Sequence, residues 1–354
     1  METPPDARLS DCTDKGSNGH MTKRNPSAKR PTLQDIARQV GVSATTVSYV
    51  LNGTGAVGAE MSKRIRATAK QLGYRANQAA KAVRTGKTRT VGLILPDLTN
   101  PFFPLLAQPI QMAAYEAGYA VLLIDSHGNT DWERSGAEDL LARGVDGIIW
   151  CPATEVDSLA TLKGEVPIVA IDRPLPDYDS VSADSYGGAR QLAEHLLALG
   201  HHSVGMVTGP MSLSSARMRR DGFVDRFSKA GTIAWEMENS FSINLCADVR
   251  EAVCKNRASA IICANDLIAL GVMRFLYGQG ARVPDEVSVV GFDDISWASL
   301  ATPGLATVRQ PFAPLGKQAI ELLLRRVEGD NAPRISLSLD MHLSQRGSLR
   351  NLSN

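Results

Sequence analysis

The chain has 354 residues, and its 38 Lys and Arg nearly cancel its 37 Asp and Glu, for a formal charge of +1. That length suits two or three domains at roughly 100–200 residues each; an apolar fraction of 44% excludes wholesale disorder, and no run reaches the ~18 apolar residues of a membrane helix. Five cysteines (Cys12, Cys151, Cys246, Cys254, Cys263) with no C-x-x-C pair exclude a disulfide framework or zinc ribbon and suit a reducing cytoplasm.

The near-zero charge hides a segregation. Residues 1–20 are net −2 and residues 91–354 net −9, whereas residues 21–90 carry 14 Lys and Arg against Asp35 and Glu60 alone, net +12. A basic module joined to an acidic body points to a polyanion partner for the module. The first 29 residues are polar and rich in Pro and Gly, and read as a disordered leader with no secretory signal. Met21 opens a second candidate start.

Residues 30–74 read as three short helices. Thr32 caps the first, with Asp35 as a capping-box partner, and Leu33, Ile36, Ala37 and Val40 make one apolar face. Gly41 supplies the left-handed turn. Ser43 caps the second helix, which turns Val47, Val50 and Leu51 inward and ends at Asn52-Gly53. The third places Met61, Ile65, Ala69 and Leu72 on one face and Lys63, Arg64, Arg66 and Lys70 elsewhere. Helix, Gly turn, helix is the layout of a helix-turn-helix, whose second helix lies in the major groove. Its outward positions are Ala44, Thr45, Ser48 and Tyr49. The hydroxyls suit bases or phosphates, and Ala44 suits a thymine methyl.

From Thr90 short apolar runs alternate with helical patterns: Val91–Leu95, Ala120–Ile124, Gly147–Trp150, Ile168–Ile171, then Val204–Val207, Ala260–Ile262 and Val287–Val290. Buried parallel strands in βαβ units look like this, and the restart predicts two doubly wound lobes facing a cleft. Asp97, Asn100, Phe102 and Phe103 follow the first run, Asp125 the second, and Asp172-Arg173 the fourth. Asn265-Asp266 and Asp293-Asp294 follow runs of the second lobe. Ligands of such folds bind outside the strands' carboxyl ends; carboxylates, Arg, amide and aromatic rings there suit a polyol or sugar. For Asp266 and Asp294 a capping or turn role competes.

These residues carry a resemblance. Thr32-Leu33-Gln34-Asp35-Ile36-Ala37 and Gly41 through Gly53 resemble the headpiece of the LacI/GalR family of bacterial transcriptional repressors. So, in order, do Asn100-Pro101-Phe102-Phe103, Val145-Asp146-Gly147-Ile148-Ile149, Ala170-Ile171-Asp172-Arg173, Arg219 with Gly222-Phe223, Asn265-Asp266, Val289 through Asp294 and Gln310-Pro311. The likeness spans about residues 30–346. It implies an all-α helix-turn-helix headpiece (30–74), a hinge helix and linker (75–88), an α/β two-lobed doubly wound body akin to type I periplasmic binding proteins (89–346), and a tail (347–354). It implies operator contacts by Thr32, Ser43, Ala44, Thr45, Thr46, Ser48 and Tyr49, and by Asn77, Ala80, Val83 and Arg84 of the hinge, with Val83 as the minor-groove wedge. Two departures stand out: Tyr49 replaces a frequent Arg, and Val83 a frequent Leu.

The resemblance further implies a homodimer on operator DNA, and a small effector, a sugar or related metabolite, held by Phe102, Asp172, Arg219, Phe241, Asn265, Asp293 and Phe312. It implies no catalytic residue, metal, cofactor or membrane. The rival readings are a stand-alone sugar-binding protein and an α/β enzyme with a basic extension. No G-x-G-x-x-G, G-x-x-x-x-G-K-[ST] or G-x-S-x-G motif supports the enzyme. Cys151 has no His placed beside it by motif, and His201-His202 suits a structural turn.

Overall fold

The computed structural model of the protein describes residues 31–74, 86–255 and 257–353. The expected leader and the hinge positions Asn77, Ala80, Val83 and Arg84 lie outside the described residues. The chain divides into two compact units, Met1–Asn77 and Gln78–Asn354.

In the first unit, α1 (Leu33–Val40), α2 (Ala44–Asn52) and α3 (Ala59–Gln71) form the expected trihelical bundle. Thr32 Oγ1 accepts from Asp35 N at 3.3 Å while Asp35 Oδ2 accepts from Thr32 N at 2.9 Å, a complete capping box. Gly41 ends α1 at φ 80°, a left-handed backbone that a Cβ would strain. Ser43 Oγ accepts from Thr46 N at 3.0 Å and starts α2. Ile36, Val47 and Ile65, one from each helix, are fully buried with Ala37, Val40, Val50 and Ala69. Arg66 Nη2 donates to Val50 O at 2.9 Å, a cation at the negative end of α2.

The second unit holds two sheets. The first lobe runs β1 (Thr90–Leu95), α4 (Phe102–Glu116), β2 (Ala120–Asp125), α5 (Thr130–Ala142), β3 (Gly147–Trp150), β4 (Ile168–Ile171) and β5 (Asp179–Ala183). The second runs α6 (Ser185–Ala198), β6 (Ser203–Thr208), α7 (Ser214–Phe227), β7 (Thr232–Glu238), α8 (Ala247–Lys255), β8 (Ala260–Cys263), α9 (Asp266–Gly278), β9 (Ser288–Asp293), α10 (Ser296–Leu300) and β10 (Ala306–Arg309). The chain then recrosses: α11 (Phe312–Val327) and β11 (Ser336–Leu339) join the first lobe, and β12 (His342–Ser344) the second.

The sheet orders are β11-β5-β4-β3-β1-β2 and β12-β10-β9-β8-β6-β7. Both contain the doubly wound order 2-1-3-4-5, with β12 the antiparallel edge. Reversal of order between β1 and β3, and between β6 and β8, opens a crevice at each sheet's carboxyl end. Three crossings, after β5, β10 and β11, join the lobes.

All seven apolar runs form strands. The run at 120–124 is an edge strand rather than a buried one: β2 lies outermost in its sheet and leaves Leu122 and Leu123 exposed. β5 went unforeseen because Asp179, Ser180 and Ser182 break the apolar pattern. Asp179 is nevertheless buried, since Arg326 of α11 grips both its oxygens at 2.7 and 2.9 Å. The segment read as a tail is part of the second lobe. Ser348 Oγ accepts from Ala306 N at 2.8 Å and donates to Val289 O at 2.6 Å, Leu349 is buried, and Leu352 N donates to Leu199 O.

Helices α6 and α7 pack so closely at Gly222 that a Cβ there would lie 2.2 Å from the backbone oxygen of Tyr186. Backbone cannot yield as a flexible side chain does, so Gly222→Ala should cost about 1–3 kcal/mol. Denaturant unfolding of the body should show it as a lower midpoint at unchanged slope; an unchanged midpoint would mean the helices are free to separate.

Candidate functional site

The recognition helix presents two of its expected contacts outward. Thr45 is exposed, and Tyr49 is 48% exposed with its ring against Gly55. Ser48 is half-buried; its Oγ accepts from Asn52 Nδ2 at 3.1 Å, which leaves the hydroxyl proton to donate outward. Ala44 differs from expectation: as the first residue of α2 it packs against the bundle core and is half-buried. Thr32, Ser43 and Thr46 are engaged in caps, with Ser43 Oγ and Thr46 Oγ1 2.8 Å apart. Their hydroxyls sit beside the amino ends of α1 and α2, where backbone N–H groups favour phosphate.

In the body, ten side chains converge between the lobes. Asn100, Phe102, Phe103, Asp172 and Arg173 come from the first, and Ser215, Arg219, Phe241, Asn265 and Asp293 from the second. Eight of them follow a strand's carboxyl end or end the strand itself, and Ser215 and Arg219 stand on α7. Below them Leu267 and Ile295 of the second lobe share one buried cluster with Phe102 and Phe103 of the first. The enclosed space is about 20 Å³, close to the room for one water molecule. A sugar-sized ligand therefore needs the lobes to separate about the three crossings.

The polar groups form two charge pairs. Arg219 Nη2 lies 2.9 Å from Asp293 Oδ1, its Nη1 donates to Ala264 O at 2.7 Å, and the guanidinium stacks 4.2 Å from the Phe292 ring centroid. Gln310 Nε2 also donates to Asp293 Oδ1, at 3.0 Å, which leaves Oδ2 for a ligand hydroxyl. Arg173 Nε lies 3.6 Å from Asp172 Oδ2, and its Nη1 donates to Pro152 O and Ala153 O at 2.7 and 3.0 Å. Arg173 Nε and Arg219 Nε are buried donors with no acceptor at hydrogen-bond distance among the described residues. Asp172 and Asp293 both have positive φ, 67° and 112°, a strained backbone for non-glycine residues that concentrates at ligand sites. Burial raises the carboxyls of both, against the pull of the arginines.

Burial pushes Asp293 up to about 6, from an ordinary 3.8. The folded form therefore holds a proton that the unfolded chain has lost between those values. Its contribution to stability is complete below about pH 4 and disappears as pH rises to about 6. Asp293→Asn cannot titrate. Measured against that variant in denaturant, the wild-type body should lose stability from pH 4 to 6 and hold level above; a constant difference across that range would contradict the raised carboxyl.

Of the expected effector residues, Phe102, Asp172, Arg219, Phe241, Asn265 and Asp293 line the cleft. Phe312 does not; it stands behind Phe102, ring centroids 5.4 Å apart, because it begins α11 beneath α4. Asn265 spends its side-chain carbonyl capping α9 through Ile268 N at 3.0 Å, which leaves its amide NH₂ as the donor. Asn100, Phe103 and Arg173, which the strand-end pattern already set at the cleft, and Ser215 complete the lining. Ser215 had no signal except its place one helical turn before Arg219 on α7.

Asp266 and Asp294 are structural. Asp266 is fully buried and accepts from Ile295 N and Thr307 Oγ1, and Asp294 pairs with Arg309 and Arg346. The Cys151 thiol is buried 4.0 Å from Asp172, and burial raises it far from the reactive range. His201 is buried between Ser259 Oγ and Arg350 O. Among the described residues no group of His, Cys, Asp and Glu could hold a metal, and no helix is long and apolar enough to cross a membrane.

Residues 32–77 match the family described as bacterial regulatory proteins, lacI family, and residues 88–344 match periplasmic binding proteins and sugar binding domain of LacI family. The chain is 32% identical to the HTH-type transcriptional repressor PurR of Photobacterium profundum, over 91% of this chain and 99% of that protein. It is 31% identical to the ribose operon repressor of Escherichia coli, over 90% and 99%. Among solved structures, the lac repressor dimer bound to operator and the anti-inducer ONPF superposes with a TM-score of 0.80 at 27% identity, over 90% and 99%. A LacI family transcriptional regulator from Enterococcus faecium with bound ribose superposes at 0.66 and 26% identity, over 74% and 99%.

Proposed function

The chain belongs to the LacI family of bacterial transcriptional regulators, and from that premise we propose that its effector is a neutral pentose, with D-ribose the first candidate. The protein is a DNA-binding repressor with a ligand-binding body, not an enzyme. One observation carries the effector reading: the cleft's two arginines are each matched by an aspartate, Arg219 by Asp293 and Arg173 by Asp172. Among the described residues of the cleft no surplus cation waits for a phosphate or carboxylate. Unspent N–H donors, an open carboxylate oxygen and three Phe rings suit hydroxyls and the apolar face of a small sugar. The ribose operon repressor and the ribose-bound regulator among the relatives support the same class.

In this reading Thr45, Ser48 and Tyr49 face base edges, Thr32, Ser43 and Thr46 face phosphates, Ala44 touches a thymine methyl from its half-buried place, and Asn77, Ala80, Val83 and Arg84 continue the contact through the hinge. Lys63, Arg64 and Lys70 add salt-sensitive affinity. The working form is a cytoplasmic homodimer, as the lac repressor is a dimer on its operator. Exposed apolar side chains on each lobe suit its interface: Met112, Tyr115 and Leu123 on the first, and Trp297, Leu300 and Tyr277 on the second, the last 84% exposed.

Calorimetric titration with D-ribose, ribose 5-phosphate, D-glucose and adenine tests the effector. Heat from ribose alone, with a matching change in affinity for DNA selected from genomic fragments, is the expected result. Tighter binding of the phosphate, or of adenine, would overturn it.

A further inference from the structure

We propose that residues 151–158 form a strap across the cleft, and that Glu133, a residue that does not line the cleft, is the positioning residue that sets effector affinity through it. The proposal rests on the reading of the cleft as a sugar site. Glu133 stands on α5, fully buried. Its Oε1 accepts from Ala153 N and its Oε2 from Ser158 Oγ, both at 2.6 Å, so one carboxylate holds the two ends of the segment. From the other side, Arg173 of the cleft wall donates to the carbonyls of Pro152 and Ala153. The peptide at Ala153 is thus gripped at its N–H by Glu133 and at its carbonyl by a ligand-facing arginine. Displacing that peptide moves the guanidinium with it.

Between its two ends the strap leaves the first lobe. Glu155 pairs there with Arg217 of α7, and Arg217 Nη1 donates to Met211 O at 2.9 Å in the loop after β6. Arg217 lies two residues from both Ser215 and Arg219, which line the cleft. The strap therefore touches the ligand site on both lobes, at Arg173 in the first and beside Arg219 in the second. Asp157, gripped by Tyr178 and Lys163 at 2.7 and 2.8 Å, fixes the far half independently. The near half, 153–155, depends on Glu133 and Arg173. An exposed pair such as Glu155–Arg217 is weak alone; held in place beforehand, it adds its full attraction to the closed form.

The experiment compares Glu133→Gln, Glu155→Gln, the double variant and Ser158→Ala by ribose titration and by backbone hydrogen exchange. Glu133→Gln keeps an acceptor for Ala153 N but removes the charge and the acceptor for the Ser158 hydroxyl; it should lower ribose affinity about tenfold, the scale of exchanging charge-assisted bonds for neutral ones, and Glu155→Gln about threefold. The double variant should be no weaker than Glu133→Gln alone, because both act through one strap. Ser158→Ala, which keeps the carboxylate and its Ala153 bond, should retain most of the affinity. In Glu133→Gln, without ligand, amides of 151–158 and of 211–218 should exchange faster together. Unchanged affinity with a lowered melting temperature would make Glu133 merely structural and overturn the proposal, as would additive losses. If the wild type takes up no ribose, the sugar reading fails and exchange still decides the strap: acceleration confined to 151–158 overturns it, and coupled acceleration supports it.

Discussion

Arg219→Met should weaken effector binding at least about a hundredfold, roughly 2.7 kcal/mol, and abolish the effector's control of operator binding while DNA affinity without effector persists. The guanidinium joins the wall of the cleft at three places: Asp293 on one side, Ala264 O on another, and the Phe292 face beneath. Its loss removes a ligand donor and unseats Asp293, which burial already disfavours as an anion. Breaking such a buried pair from one side costs about 3–5 kcal/mol, because a charge is left uncompensated. The double variant Arg219→Met, Asp293→Asn should therefore regain stability without regaining the ligand. Thermal unfolding and ribose titration separate the two effects. A single variant that still releases DNA on ribose addition would remove Arg219 from the site.

The same pair shows how far the sequence could be read. Apolar runs announced the central strands, because strands buried on both faces must be apolar throughout, and the residues just beyond them marked the cleft. What could not be read was which neighbour at a strand end faces the ligand. Asp293 and Asp294 are adjacent and chemically identical, yet one lines the cleft and the other is spent on Arg309 and Arg346. Their opposite fates follow from partners 15 and more residues away. Phe312 shows the same limit: the family resemblance implied a ligand contact, and packing of α11 against α4 sets it behind Phe102. β5 was lost because its stabilising partner, Arg326, sits far along the chain. Local pattern carries local geometry; buried polar pairing across the fold does not show in it.

Ile65→Ala should abolish tight operator binding and leave the body untouched. The first unit has a small core, in which Ile65 is the fully buried residue that α3 contributes against Ile36 and Val47. Truncating a buried Ile to Ala costs about 2–5 kcal/mol, and a domain this small rarely has more than about 3–5 kcal/mol in total. The variant headpiece is then folded only a small fraction of the time. Apparent affinity falls by that fraction, so one folded a tenth of the time binds about tenfold more weakly, and a dimer needing both headpieces about a hundredfold. The second unit has its own cores, so its melting transition and its ribose affinity should not change. Ser48→Ala is the control that keeps the apolar core intact and loses an outward hydroxyl with its bond from Asn52, about 1 kcal/mol. If Ile65→Ala bound operator as well as Ser48→Ala, the three-helix core could not be what holds the recognition helix in shape.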